Sequence, residues 1–372
     1  MDHVYYRSYD PMVRCVGREY TPNRAAQIAM LVAGGRLTWT PDVVEAMYWS
    51  FNTKIDQIWN RDNSSEIFDI DEGDWDRPAR ADLVDAGAAP AFVKEIEDNV
   101  RKTGNVYGTK DAKGAVGKAD VLYVVDDTTR AKTPEIAEAM KKILKAKGVD
   151  FAVLAKGTDG WGLYDLGLWA LAEEKAKEFA GFIKDSGAKT VVANCPAVVY
   201  ALREWYPKIG LKLDAKVLHH TEYLAKLGVT GKLKGKVTFH DPAYLGRFLG
   251  VFDAPRNVLK KVAGFELVEC FFTREKSNPT GPLLAYFDQE WANMVAARRA
   301  EELALAAPTV VTAAPCSKRN LGVVAKAAGI KVLDIAEVLA GYQGGKSYHL
   351  SRVTRARAIP LNVETAVLEG RP

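Results

Sequence analysis

Cysteine is scarce in this 372-residue chain, and histidine nearly as much so, with four of the first and five of the second. Cys15, Cys195, Cys270 and Cys316 stand far apart in the sequence. Zinc and iron–sulfur sites usually announce themselves through Cys pairs about two to four residues apart, and no such pair occurs here. A disulfide framework belongs to small secreted chains and is not expected in this one. Long apolar runs are missing too; nothing approaches the ~18–20 uninterrupted apolar residues of a membrane span. The stretch from Met1 to Tyr20 carries Asp2, Arg7, Asp10, Arg14 and Arg18 with no apolar run between them, which does not read as an export signal. Nor is charge of one sign massed anywhere: 51 Lys and Arg stand against 47 Asp and Glu, for a net charge of +4. Nucleic-acid binding, which needs a concentrated basic face, is not expected, and neither is direct membrane insertion. The expectation is a cytoplasmic protein, free or docked on another subunit.

What is present is an ordinary globular composition, 48% apolar and 26% charged, long enough for two or three domains with real cores. An internal repeat organises it. Ala188-Lys-Thr-Val-Val-Ala-Asn-Cys-Pro196 matches Ala307-Pro-Thr-Val-Val-Thr-Ala-Ala-Pro315. Each is a short β-branched run closing on a small residue and proline, the pattern of a buried strand entering a turn. Each also follows a charged helical stretch, over 172–187 and 293–306. The openings correspond as well: Val121-Leu-Tyr-Val-Val-Asp-Asp127 and Lys236-Val-Thr-Phe-His-Asp-Pro242 are apolar runs ending in acid. A helix with proline in its first turn follows each, at Pro134 and Pro255. Further strands are expected over 151–154 and 265–270.

The resulting β-α-β-α-β order favours parallel sheets with helices on their faces. The fold class read from this order is α/β, two repeated parallel-sheet units over 119–216 and 217–340. Val217-Leu-His-His-Thr-Glu-Tyr-Leu224 lies between them as a strand end running into a short helix. Residues 1–118 read as helical, with helices over 23–34, 41–60 and 90–102 and a solvated acidic loop over 69–76. Residues 341–372 form a C-terminal tail, lying along a partner or disordered.

Several longer stretches carry a family resemblance. Val237-Thr-Phe-His-Asp-Pro-Ala-Tyr-Leu-Gly-Arg247, with Gly250-Val-Phe-Asp-Ala-Pro-Arg256 after it, resembles the cysteine-rich (CCG) domain of the B and D subunits of heterodisulfide reductase. The C subunit of glycerol-3-phosphate dehydrogenase and the lactate-utilisation iron–sulfur oxidoreductases are related. Gly104-Asn-Val-Tyr-Gly108, Val217-Leu-His-His-Thr-Glu222 and Gly264-Phe-Glu-Leu-Val-Glu269 support the likeness, which runs from about Thr21 to Leu339. It implies two CCG-type units preceded by a helical ferredoxin-like domain, and cysteines that hold clusters for disulfide or electron-transfer chemistry.

Those cysteines are mostly absent. In the first unit the opening position falls on Asp127, the Cys-Cys-Gly on Thr158-Asp159-Gly160, and the closing pair on Cys195 and Val198. In the second the positions fall on Ala243, Pro279-Thr280-Gly281, Ala314 and Ser317, with Cys316 one residue off register. In the ferredoxin-like region the four ligand positions become Ser50, Thr53, Asp56 and Asn60, and Cys15 stands alone. A four-iron cluster wants several soft thiolates, so no cofactor is expected.

Asp127, Thr158, Asp159, Cys195, His240 and Asp241 are the candidates for a pocket left where clusters would sit. Two readings stand beside each other. Asp127, Asp159 and Cys195 converge at the carboxyl edge of a sheet, as a repurposed site holding a hard cation or working as acid and base. Alternatively they cap helices and fill space. His240-Asp241 reads as a structural strand end, since neighbours on a strand face opposite ways. His219-His220 lacks further ligands for a metal. Gly157-Thr-Asp-Gly-Trp-Gly162 reads as a turn, with phosphate binding as a second possibility, and Trp161, Tyr164 and Trp169 as a plug for the cavity or a contact surface.

The functional expectation is a noncatalytic paralogue, a structural or docking subunit of an electron-transfer complex beside a cluster-bearing relative. The alternatives are an enzyme built on the repurposed pocket, and an electron-transfer subunit whose clusters a partner supplies.

Overall fold

A computed structural model describes residues 22–50, 52–55, 57–58, 73–111, 113–281 and 289–341. Cys15, Asp56, Asn60 and the tail beyond 341 lie outside them.

Helices come first: α1 (Pro22–Ala33), α2 (Pro41–Trp49), α3 (Gly73–Asp85) and α4 (Ala91–Thr103). Thr40 starts α2, its side chain accepting from Val43 N with Pro41 just inside the helix. Along α4, Val93, Ile96 and Val100 bury one face, and Gly104 ends the helix at a φ of +84°. The helix expected over 41–60 stops at Trp49, because Ser50 is extended (φ −72°, ψ 140°). The expected acidic loop is a helix from Gly73 onward. Asp76 is fully buried, with the Ser50 hydroxyl at 3.5 Å and the cations of Arg77 and Arg80 nearby.

The first α/β unit runs β1 (Val121–Val124), α5 (Asp127–Ala131), α6 (Pro134–Ala146), β2 (Phe151–Leu154), α7 (Trp161–Asp165), α8 (Trp169–Ser186), β3 (Thr190–Ala193), α9 (Pro196–Tyr200), β4 (Lys216–His219) and α10 (His220–Leu227). A π-helical turn, Ala201–Trp205, extends α9. The second unit runs β5 (Gly231–Phe239), a π-helical turn at Tyr244–Phe248, α11 (Asp253–Leu259), β6 (Val262–Leu267), α12 (Gln289–Ala304), β7 (Thr309–Thr312), α13 (Pro315–Val324), β8 (Lys331–Asp334) and α14 (Ile335–Leu339).

Both sheets are four-stranded and wholly parallel, in the orders β2-β1-β3-β4 and β6-β5-β7-β8. The chain is therefore an α/β protein of two repeated units. Strand β4 pairs with β3, Thr190 opposite Lys216 through Ala193 opposite His219, so Val217-Leu-His belongs to the first sheet. A division between residues 216 and 217 would cut this strand. The true counterpart of Lys216-Val-Leu-His-His-Thr-Glu-Tyr-Leu-Ala225 is Lys331-Val-Leu-Asp-Ile-Ala-Glu-Val-Leu-Ala340. Both copies begin their helix with a capping box, His219 with Glu222 and Asp334 with Glu337. Strand β6 begins three residues earlier than the expected 265–270.

One face of each sheet packs into a shared core. Tyr123, Ile136, Met140 and Ile143 of the first unit meet Phe239, Leu259, Leu333 and Val338 of the second. A buried ion triad crosses the same junction: Lys318 Nζ lies 2.5 Å from Glu135 and 2.6 Å from Glu337. The two sheets are thus one packed body, and their carboxyl ends share a common edge.

Candidate functional site

At that edge the loops after six parallel strands line a half-open cavity of about 130 Å³. Residues after β1 (Asp126, Asp127, Thr128), β2 (Thr158, Asp159) and β3 (Cys195, Val198) form one wall. His240 and Ala243 after β5, Pro279 and Thr280, and Ala314, Cys316 and Ser317 after β7 form the other. Asn52 and Thr53 close it from the helical region. Ligands of open α/β sheets usually bind at this edge.

The structure therefore brings together Asp127, Thr158, Asp159, Cys195 and His240, with Thr53, Ala243, Pro279, Thr280, Ala314 and Ser317. Ser50 does not line the cavity; it is buried beside Asp76. Asp241 also lies elsewhere, clasped by Arg256 through two bonds of 2.7 and 2.8 Å. The same guanidinium holds Glu269, and burial together with this clasp makes Asp241 a structural ion-pair partner. His220 sits 3.4 Å from Asp334 across the unit junction, and His219 bonds Thr221 and the carbonyl of Asn194, so neither lines the cavity. Sequence reasoning passed over Asp126, Asp165, Asn52 and Tyr244. Only Asp126, beside an assigned position, carried a signal that could have found it.

Local geometry explains how the wall is built. Asp126 caps α5, accepting from the amides of Thr128 (3.1 Å) and Thr129 (3.3 Å). Asp127, next in line, accepts from Arg130 at 2.9 Å and from the amide of Val106 at 3.3 Å. Arg130 also serves Asp111 at 3.1 Å and the carbonyls of Val125 and Gly157. Asp159 accepts from the amide of Trp161 at 3.0 Å and, among the described residues, has no cationic partner within ion-pair reach. Gly160 follows with a φ of +86°, and a Cβ there would meet the Ala172 carbonyl oxygen at 2.4 Å. Gly281, its counterpart, has a φ of +70°. The glycine of both motif remnants thus holds a left-handed backbone that other residues adopt only at a cost.

The electrostatics divide the cavity. Burial pushes the Asp127 carboxyl up to about 7; Arg130 opposes this, while Asp159 and Asp126 add to it. Burial likewise raises Asp159 to about 6, against the amide of Trp161. On the other wall His240 is held well below the ordinary histidine range by burial and by Arg299 and Arg247. Arg299 donates to its Nδ1 at 3.3 Å, which leaves the proton on Nε2 for Ser317 Oγ at 3.2 Å. Burial lifts the Cys195 thiol far above its usual value and Cys316 to about 11, so both are thiols rather than thiolates.

Trp161 packs on Tyr200, Trp205 and Tyr244, and its indole N–H donates to the Tyr244 hydroxyl at 2.7 Å. Residues 155–160 are irregular backbone with bends, and Trp161 opens the short helix α7.

This donor set does not fit an iron–sulfur cluster. Methyl, pyrrolidine, hydroxyl and carboxylate groups occupy most of the positions at which the resemblance implies cluster ligands, and the cavity lining includes two thiols, Cys195 and Cys316. Among the described residues no three His, Cys, Asp or Glu side chains are grouped to hold one metal ion. No described helix is long and apolar enough to cross a membrane.

No family model matches the chain. Among curated proteins it is 31% identical over 242 residues to the D subunit of the dihydromethanophenazine:CoB–CoM heterodisulfide reductase of Methanosarcina barkeri, covering 60% of this chain and 59% of that one. It is 31% identical over 224 residues to the probable iron–sulfur-binding oxidoreductase FadF of Bacillus subtilis, covering 56% of this chain and 32% of that protein. Lactate utilization protein A of a Geobacillus species is 35% identical over 83 residues, 21% of this chain and 34% of that one. The chain thus spans between a third and three fifths of the length of these relatives. A glutamate racemase of Bacillus anthracis, at 13% identity over 62% of this chain and 80% of its own, has a TM-score of only 0.31 and bears on nothing here. Over part of their length the chain is thus similar to a probable iron–sulfur-binding oxidoreductase and to the D subunit of a heterodisulfide reductase, and it carries four cysteines, no two of them close in sequence.

Proposed function

We propose that this chain is a noncatalytic, cluster-free subunit that acts as a structural or docking component of an electron-transfer complex, paired with a cluster-bearing relative. One observation carries the reading. Most of the positions at which the resemblance implies cluster ligands in the two α/β units line a single cavity, and Cys195 and the off-register Cys316 are the thiols among its lining residues, too few to hold a four-iron cluster. The scaffold is intact, with both sheets, the shared core and the left-handed glycines in place, while the ligands have gone. A relative that is itself a subunit of a reductase supports a protein partner. The protein works in the cytoplasm in this reading, free or held at a membrane by its partner.

The test is anaerobic purification from the native source, with native mass and with iron and acid-labile sulfide counted per chain. A stoichiometric protein partner, with all iron accounted for by that partner, supports the proposal. Migration as a lone monomer overturns the docking role. Cluster-level iron and sulfide on the isolated chain would overturn the cluster-free assignment. Iron present only in the complex and bound through Cys195 would favour clusters supplied at the interface.

A further inference from the structure

Three segments, 141–148, 223–236 and 257–265, hold ten lysines and not one Asp, Glu or Arg, in a chain whose 51 basic residues are otherwise nearly matched by 47 acidic ones. They are spread along the sequence, and the fold gathers them. In a parallel α/β unit each helix runs back against its strands, so helices end where strands begin. The ends of α6, α10 and α11 accordingly meet beside the starts of β5 and β6, at the amino edge of the sheets and away from the cavity. Lys147 Nζ lies 3.5 Å from the Gly228 carbonyl oxygen, tying the end of α6 to the end of α10. Lys261 Nζ lies 3.2 Å from the Ala225 oxygen, tying α11 to the same place. β5 and β6 pair from Gly231 opposite Val262 onward. Lys232, Lys234 and Lys236 are exposed along β5, and Lys145, Lys226 and Lys260 are exposed at or beside the helix ends.

Helix ends account for part of this collection. Lys147 and Lys261, with Lys142 at 2.8 Å from the Ala340 oxygen, satisfy carbonyls that helices leave open at their carboxyl ends. Lys145, Lys226, Lys234, Lys236 and Lys260 do no such work and form no hydrogen bond or ion pair with a described residue. Like charges held together repel, and a bare scaffold gains nothing from them. Their chemistry also selects the partner. A face without arginine lacks the planar fork that grips phosphate and guanine, which speaks against nucleic acid. The large exposed hydrophobics among the described residues are Met30, Leu31, Trp75, Phe271 and Leu305, none of them in these segments. Lysines with no apolar anchor beside them make a weak membrane contact. Carboxylates on a protein surface complement hydrated ammonium groups of this kind and are steered to them over long range.

We propose that the amino edge formed by α6, α10, α11, β5 and β6 is the docking face for an acidic surface of a partner protein. The proposal deepens the docking role given above and rests on it.

The first probe is fluorescein-labelled poly-L-glutamate, titrated with the full-length protein and read by anisotropy. Saturable binding is expected. Raising NaCl from about 0.01 M to about 0.15 M shortens the Debye length from about 30 Å to about 8 Å and should weaken it about tenfold or more. Reversing Lys234→Glu, Lys236→Glu and Lys260→Glu together should weaken it by a similar factor with unchanged circular dichroism. Lys94→Glu, Lys102→Glu and Lys110→Glu in the helical region change the net charge equally and should leave most of the binding. No saturable binding, or equal losses in the two triple variants, overturns the proposal. Vesicles of phosphatidylcholine and phosphatidylglycerol at about three to one, bound as tightly as polyglutamate, overturn it in favour of a membrane face. Should the reversed variant not fold, glutamine at the same three positions replaces it. The second measurement is acetylation of lysines in the complex purified from the native source and in the isolated chain. Lys234, Lys236 and Lys260 should be protected in the complex. A complex in which they stay fully reactive overturns this face while the docking role stands. Absence of any complex overturns the docking role, and with it this proposal, whatever polyglutamate does.

Discussion

The two α/β units share one backbone plan and present opposite chemistry to the same cavity. The first offers Asp126, Asp127 and Asp159 around a single arginine, while the second offers Ala243, Pro279, Thr280, Ala314 and a neutral His240. What both retain is what the fold needs: parallel strands, a shared apolar core and a left-handed glycine after the motif loop. What differs is what a cluster would have fixed. In the cluster-free reading proposed above, these positions are constrained only by packing and solvation, and the two units meet that constraint with different residues.

The largest expected effect lies where the units are joined. Lys318→Met removes the cation shared by the buried carboxylates of Glu135 and Glu337 and should cost about 3–5 kcal/mol in urea denaturation. Adding Glu135→Gln and Glu337→Gln should recover much of that loss. If Lys318→Met alone is neutral, the units are not coupled through this triad.

Next comes the pair of glycines. Gly160→Ala meets a backbone oxygen as well as the left-handed φ and should cost about 3 kcal/mol. Gly281→Ala meets the Val295 side chain at 3.3 Å and the Ala292 Cα at an ordinary 3.6 Å, and should cost about 1–2 kcal/mol. Equal losses would mean that the two motif loops are equivalent after all.

The acidic wall gives a smaller, pH-dependent effect. Burial raises the folded-state values of Asp127 and Asp159 above the ordinary carboxylate value, to about 7 and about 6. Their contribution to stability is therefore fully present below about pH 4 and is lost as pH rises through 6 to 7. Asp127→Asn removes that loss. It should be near neutral at pH 4 and stabilising by on the order of 1 kcal/mol at pH 8, read as the difference between variant and wild-type denaturation midpoints. A difference that does not change between the two pH values would show that Arg130 fully compensates the burial of Asp127.

The smallest effect belongs to the neutral wall. Ser317→Ala takes the acceptor from His240 Nε2 and should cost about 1 kcal/mol with no dependence on pH between 6 and 8, because His240 is uncharged throughout. Any marked pH dependence there would show that His240 titrates and that the walls are less different than their geometry says.

Much of this architecture was legible in the sequence. The β-branched runs ending in small residue and proline marked β3 and β7, and the apolar runs ending in acid marked β1 and β5, because a buried parallel strand must be apolar along its length. The repeat of Lys216–Ala225 in Lys331–Ala340 was equally present but was missed, since its strand is only four residues and its cap differs, His219 in one copy and Asp334 in the other. Asp76 read as solvated because acidic residues usually are; its burial depends on Arg77 and Arg80, which lie on the same helix but act through three-dimensional packing.

The sequence by itself determined the parallel repeats and the scarcity of thiols, because strand patterning and thiol content are properties of residue type and local order. Tertiary structure alone decided that positions scattered from Asn52 to Ser317, Asp159 and Ala243 among them, face one cavity, and that Asp241 turns away from it. It also decided which carboxylates find a cation and which oxygens find none. Those outcomes depend on the joining of two sheets at their carboxyl ends, which no local pattern encodes.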